Sequence, residues 1–284
     1  MSRIVETESP DGTSASADMV GTWFNTNRDA PEIAKVVVVQ EDDNLLIRVY
    51  ALDDGRTVDW GEARAIPHAS PGQPDEVTGF EACFEVGGIE RRLAANLKLG
   101  VLVIQCYNRI YQSERGGYFT REFFHQRSEG TSDAPRAPLE NSTDGSALPY
   151  VKAGDRLVPG ATPLTAIVDL EPHFGTWRNT NRHTRSASHL ELLRDSVGYL
   201  VHGFGIDAPQ DWGAVRAIAF SDDVSSPRAA GFFADYDFKF MELRWAANFN
   251  KGLLIVAAFN RFNDDSGRSN YFTREFFYHE RRSA

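Results

Sequence analysis

The chain has 284 residues, room for two domains, and its 42% hydrophobic and 25% charged content excludes a wholly disordered protein. Its net charge of −10 opposes binding to nucleic-acid backbones or anionic membrane surfaces, and no apolar run reaches the ~18 residues of a membrane-spanning helix, so no membrane insertion is expected. Cys83 and Cys106 are the only cysteines, too few for a disulfide scaffold or an all-cysteine metal cluster.

Residues 1–18 are polar and lack both the basic start and the apolar stretch of a secretory signal. They are expected to form a disordered leader on a cytoplasmic protein. From residue 19 onward the chain repeats itself. Gly21-Thr22-Trp23-Phe24-Asn25-Thr26-Asn27-Arg28 returns 154 residues later as Gly175-Thr176-Trp177-Arg178-Asn179-Thr180-Asn181-Arg182. Asp59-Trp60-Gly61 returns as Asp211-Trp212-Gly213 and Ala94-Ala95-Asn96 as Ala246-Ala247-Asn248, both at an offset of 152. Asn108-Arg109 returns as Asn260-Arg261, and Tyr118 to Phe124 returns as Tyr271 to Phe277 at an offset of 153. Five blocks in one order imply a tandem duplication, with copies over 19–127 and 173–284 and short insertions in the turns. Between them, 128–172 begins SEGTSDAPRAPLENSTDGS, a flexible Ser/Pro/Gly-rich linker. Its more apolar end, Leu164 to Leu170, docks on a barrel or leads into the second copy.

Each copy predicts eight strands. In the second they are Gly175–Thr180, His189–Arg194, Tyr199–Phe204, Ala214–Phe220, Gly231–Phe238, Met241–Phe249, Leu253–Phe262 and Tyr271–Tyr278. Turn signals such as Asp195-Ser196-Val197-Gly198 and Asn250-Lys251-Gly252 separate them; Asp42-Asp43-Asn44, Val86-Gly87-Gly88 and Lys98-Leu99-Gly100 do so in the first copy. No long amphipathic helical period is present. The expected fold is therefore all-β: two tandem eight-stranded antiparallel up-and-down β-barrels joined by a linker, each closed so that no edge strand remains. A sandwich is the rival architecture.

Alternation along strands assigns the inner faces. With Trp23 and Trp177 inward, Asn25, Asn27, Asn179 and Asn181 follow. Phe80, Ala82 and Phe84 match Phe232, Ala234 and Tyr236. Leu243, Trp245, Ala247 and Phe249 form the inner set of the sixth strand. Leu102, Ile104, Cys106 and Asn108 match Leu254, Val256, Ala258 and Asn260, with Gln105 and Arg261 outside. The third strand is ambiguous: Arg48 and Tyr50, like His202 and Phe204, fit either face. Arg64, Arg216, Arg92 and Arg244 read as outward charges, and Glu122 and Glu275 as solvated.

Gly-Thr-Trp opening an eight-strand unit, with Arg121 and Arg274 in its last strand, resembles the calycin superfamily of lipocalins, avidins and fatty-acid-binding proteins. The resemblance implies that the last-strand Arg stacks over the first-strand Trp at the closed end of the barrel. The Gly-Thr-Trp-Phe-Asn start is most similar to the avidin opening, which implies a head-group role for Asn25 and Asn179. Other avidin ligand motifs are absent, so the resemblance carries the fold and not biotin.

The expected function is binding of a small, largely apolar molecule in barrel cavities lined by Asn25, Asn108, Asn179, Asn260, Phe84, Tyr236, Trp245, Tyr50, His202 and Phe204. The amides alternatively serve hydrogen-bond networks or turns. One alternative function is a cofactor-independent cyclase or isomerase that works by orientation. Another is a sugar- or protein-binding module using Trp60 and Trp212, whose rival role is a structural corner. No catalytic residue is singled out. With no HExxH, His/Cys ligand spacing, GxGxxG, Walker or GxSxG motif, neither a metal nor a cofactor is expected. Outer strands bearing Val103 and Ile255 are candidates for an intramolecular barrel–barrel contact, with a homo-oligomer as a wider possibility.

Overall fold

The computed structural model describes residues 18–27, 32–41, 44–53, 56–111, 116–126, 168–208, 210–224 and 226–280. Residues 1–17 of the expected leader, 128–167 of the expected linker, Arg28 and the Asp42-Asp43 turn lie outside the described residues. The described chain is all β apart from one 3-10 turn at Glu171–His173. The strands of its first half are β1 (Gly21–Asn25), β2 (Ile33–Glu41), β3 (Asn44–Asp53), β4 (Arg56–Ser70), β5 (Gln73–Val86), β6 (Ile89–Lys98), β7 (Val101–Ile110) and β8 (Tyr118–Gln126). Those of the second half are β9 (Gly175–Asn179), β10 (Ala187–Arg194), β11 (Tyr199–Gly205), β12 (Asp211–Phe220), β13 (Gly231–Asp237), β14 (Met241–Asn250), β15 (Leu253–Phe262) and β16 (Tyr271–His279).

Strands β9 to β16 pair in sequence order, and β16 returns to β9, giving a closed eight-stranded antiparallel barrel. The other eight strands lie outside it and follow the same neighbour order. Among them β8 returns to β1 through Trp23–Gln126, Phe24–His125 and Asn25–Phe124, and β4 pairs with β5. Indole anchors start both halves. Trp23 Nε1 donates to Met19 O and Trp177 Nε1 to His173 O, each at 2.9 Å, and both rings are buried in their respective cores. Val168 and Leu170, just before β9, join the second core.

The Asp-Trp-Gly repeats are β-bulges rather than strand leaders. Trp60 and Gly61 together oppose Val49, and Trp212 and Gly213 together oppose Gly203. Positive φ at Gly61 (83°) and Gly213 (80°) permits the bulge, and each preceding Asp accepts the glycine N–H, at 2.9 and 2.8 Å. Trp60 thereby turns into the first core, edge-on to Phe84 at 5.9 Å. Trp212 packs on Tyr236, Phe238 and Trp245.

The halves meet through outward side chains of β6–β8 and β12–β16, which are nonetheless buried. Tyr107 stacks on Phe119 at 5.3 Å and touches Phe220 and Phe233; its hydroxyl donates to Ala247 O at 3.3 Å. Gln105, an outer residue of β7, is buried because its amide donates to Asn248 Oδ1 at 2.7 Å. Val103 and Ile255 are also buried but lie outside this aromatic cluster. The contact has a near two-fold character. Ala69 N–H donates to Asn270 O, and Ser221 N–H to Gly117 O. The ring pair His68–Phe259, at 5.1 Å, mirrors Phe220–Tyr107 at 5.2 Å. Close approach requires glycine: a Cβ on Gly79 would lie 3.3 Å from Phe272, and one on Gly231 3.4 Å from Phe119 and 2.4 Å from Ala247 O. Each pair occupies positions 152 or 153 residues apart, the self-complementary pattern of a two-fold interface.

Candidate functional site

Alternation that buries Leu93 and Ala95 on β6 also turns Arg91 inward, and alternation through Phe124 on β8 turns Tyr118, Thr120 and Glu122 inward. Register then aligns Arg91 opposite Asn108 and Asn108 opposite Tyr118 across three adjacent strands. Glu32, beside the start of β2, completes the cluster. Its Oε1 accepts from Arg91 Nη1 at 2.8 Å and from the Tyr118 hydroxyl at 3.1 Å. Arg91 Nη1 also donates to Asn108 Oδ1 at 2.6 Å, and the guanidinium lies 4.5 Å over the Trp60 ring. Glu32 is only 5% exposed.

The electrostatics follow from burial. Desolvation pushes the Glu32 carboxyl up, while Arg91, Thr120, Tyr118 and Asn108 pull it back. Burial, reinforced by the Glu32 charge, pushes Glu122 up to about 8, against the Ile33 N–H and the Asn25 amide. Glu122 is thus largely a neutral acid at pH 7. Burial and Glu32 likewise raise Cys106 and Tyr118. Burial opposes the Arg91 charge, but Glu32 and its neighbours outweigh that and raise it. Among the described residues, five buried atoms of this cluster make no well-formed hydrogen bond: Glu32 Oε2, Arg91 Nε, Asn108 Nδ2, Thr120 Oγ1 and Glu122 Oε2, although Thr120 and Asn108 lie close enough to Glu32 to pull its pKa down.

The second half differs at the same register. Ser186 stands at the position of Glu32 and Leu243 at that of Arg91. Glu275, in the place of Glu122, accepts a hydrogen bond from the Thr184 hydroxyl. Of the matching cluster atoms, only Thr273 Oγ1 lacks a partner.

The sequence-derived candidates fall into four groups. Asn108 belongs to the polar cluster, and Phe84 packs beside it through Trp60. Asn25 and Asn179 are buried and shape the loop after their strands: their amides donate to Ile33 O at 2.7 Å and Ala187 O at 2.9 Å, and their Oδ1 atoms accept from Asn27 and Asn181 N–H. Asn260, Tyr236 and Trp245 are buried in the second half; Asn260 donates weakly to Ala258 O and Tyr271 O, and Tyr236 to Val201 O. Tyr50, His202 and Phe204 alternate with buried residues and face outward. Lys35 covers the Tyr50 ring at 3.7 Å, and Phe204 is stacked between His189 and His202. His202 Nε2 lies 2.5 Å from Asp211 Oδ1.

Several expectations need correction: Asn27 and Asn181, expected inward, are exposed, and Tyr50, His202 and Phe204, expected to line a cavity, face outward. Glu122 is not solvated, because Phe124 fixes the inward parity of β8 and carries Glu122 with it. Arg121 sits on the opposite, outer face beside Phe123, so it does not stack on Trp23. Arg274 shares that outward parity; the guanidinium-on-indole contact of the first half is made by Arg91 and Trp60 instead. Sequence reasoning missed Arg91 and Glu122, although strand parity contained both. Glu32 gave no such signal, since it lies before its strand and 59 residues from its ion-pair partner.

Among the described residues, no group of three or more His, Cys, Asp or Glu side chains is placed to hold a metal, and no helix is long and apolar enough to cross a membrane. No family model matches the chain, and comparison with curated proteins gives no significant match.

Proposed function

We propose that the chain is a tandem pair of calycin-like barrels, and that it binds a small, largely apolar molecule whose polar end enters the first half. The repeat offsets and the near two-fold contact between the halves support the tandem reading. The binding reading rests on one observation: five unpartnered buried polar atoms converge in the first half. Buried polar groups normally find partners, and one orphan costs about 1–3 kcal/mol. A ligand group that both donates and accepts would satisfy several of them together. Because Glu122 is held neutral and Glu32 is paired with Arg91, the complementary group is uncharged: a hydroxyl, carbonyl or amide. Trp60, Phe80 and Phe84 supply the apolar wall.

A second reading, the cofactor-independent cyclase or isomerase, is favoured by Glu122 itself. An acid with a pKa near the working pH in an apolar interior is the usual requirement for proton transfer. Binding and catalysis separate by experiment. The double variant E32S/R91L places second-half residues in the first half and removes both charges together, which leaves no unpaired buried ion. It is expected to stay folded and to lose the thermal-shift and native-mass-spectrometric response of the parent to apolar alcohols, ketones and amides. Equal responses in parent and variant would overturn the site. R91L alone strands the Glu32 carboxylate and is expected to lose about 3–5 kcal/mol of stability. Conversion of a bound compound by the parent, and not by E122Q, would establish the catalytic reading.

A further inference from the structure

Where the halves meet, a cleft of about 380 Å³ is lined by Ser70, Thr78, Asn96, Lys98, Phe272 and Arg274, with Leu97 and Pro71 at its apolar side. None of its lining residues is acidic, in a chain with 40 Asp and Glu against 30 Lys and Arg. Arg274 is partly buried there, and its Nε has no hydrogen-bond partner. Among the described residues no carboxylate forms an ion pair with it. The charge that bears on it is a like one, Arg121, with the Tyr107 phenol also nearby. Burial and Arg121 together lower the Arg274 pKa to about 10, the mark of an uncompensated cation.

We propose that this cleft binds an oxyanion carried on a small apolar body. Arg274 supplies a planar fork of donors and Lys98 a second positive charge. The Thr78 hydroxyl, which accepts from the Ser70 hydroxyl at 3.3 Å, and the Asn96 amide offer neutral donors, and Phe272 and Leu97 form a wall for the apolar part. The arrangement is one-sided. At the positions related by the repeat offset, Asp222 replaces Ser70, Ala230 replaces Thr78 and Asn250 replaces Lys98. Beside Arg121 the corresponding surface therefore carries an acid and loses both hydroxyls and a cation. Near-symmetric packing alone does not produce that difference. The site is independent of the polar cluster inside the first half.

The test is calorimetric titration of the full chain with phenyl phosphate, benzoate and inorganic phosphate at constant ionic strength. Saturable binding of phenyl phosphate or benzoate is expected, weakened at least tenfold in K98E and lost in R274Q. Lys98 is exposed, so K98E remains informative if R274Q fails to fold. Preference for phenyl phosphate assigns a phosphate monoester, and preference for benzoate a carboxylate. Unchanged affinity in K98E, or no saturable binding of any of the three, overturns the proposal. Inorganic phosphate binding as tightly as phenyl phosphate overturns the apolar part of it.

Discussion

Replacing Glu122 by Gln should flatten the pH dependence of stability. The folded chain holds this carboxyl's pKa at about 8, against an ordinary 4.5. Between those values the folded state binds more protons at this site than the unfolded state, so stability falls as pH rises. The contribution is fully present below about pH 4.5 and is lost as pH passes through 8. A shift of about 3.5 units at about 1.36 kcal/mol each sets a ceiling near 5 kcal/mol. Part of the side chain reaches solvent, and screening there brings the measured effect below that ceiling. Glutamine keeps the shape and cannot ionise. Denaturant unfolding of both proteins from pH 5 to 9 is the assay. The parent should lose stability relative to E122Q across that range, with most of the divergence between pH 6 and 8. Parallel curves would refute the claim that a neutral carboxyl is held inside the first half.

Two further expectations concern the packing of the halves. Gly231→Ala places a methyl group 2.4 Å from Ala247 O, so it must distort the β13–β14 ladder and should destabilise by about 1–3 kcal/mol or more in thermal unfolding. Tyr107→Ala removes ring contacts to Phe119, Phe220 and Phe233 and the hydroxyl bond to Ala247 O. It should cost about 3–5 kcal/mol, and amide exchange should accelerate on β7 and β13 before it does on β1 and β9. Uniform acceleration would instead mark global destabilisation with no local opening between the halves.

Much of the molecule was legible in the chain alone. Turn residues and apolar alternation located the second-half strands to within three residues at each end, as with Met241–Asn250 and Leu253–Phe262. Parity placed Phe80, Phe84, Phe232 and Trp245 inside because a half-buried strand must present alternate side chains to its core. Alternation also carried the information for Arg91 and Glu122. The expectation that Glu122 is solvated followed from turning Arg121 inward on the calycin resemblance, whereas Phe124 sets the opposite parity.

Other features had no local signature. Gln105, Tyr107 and Arg274 are outward residues, and whether an outward residue is wet depends on what packs against the sheet. The Glu32–Arg91 pair joins the entry of one strand to the middle of another, four strands later in sequence. Period-two patterning thus determined which residues share a face along most strands. Three-dimensional assembly decided which outer faces became dry and which buried charges met, because those contacts join segments whose separation along the chain has no period to read.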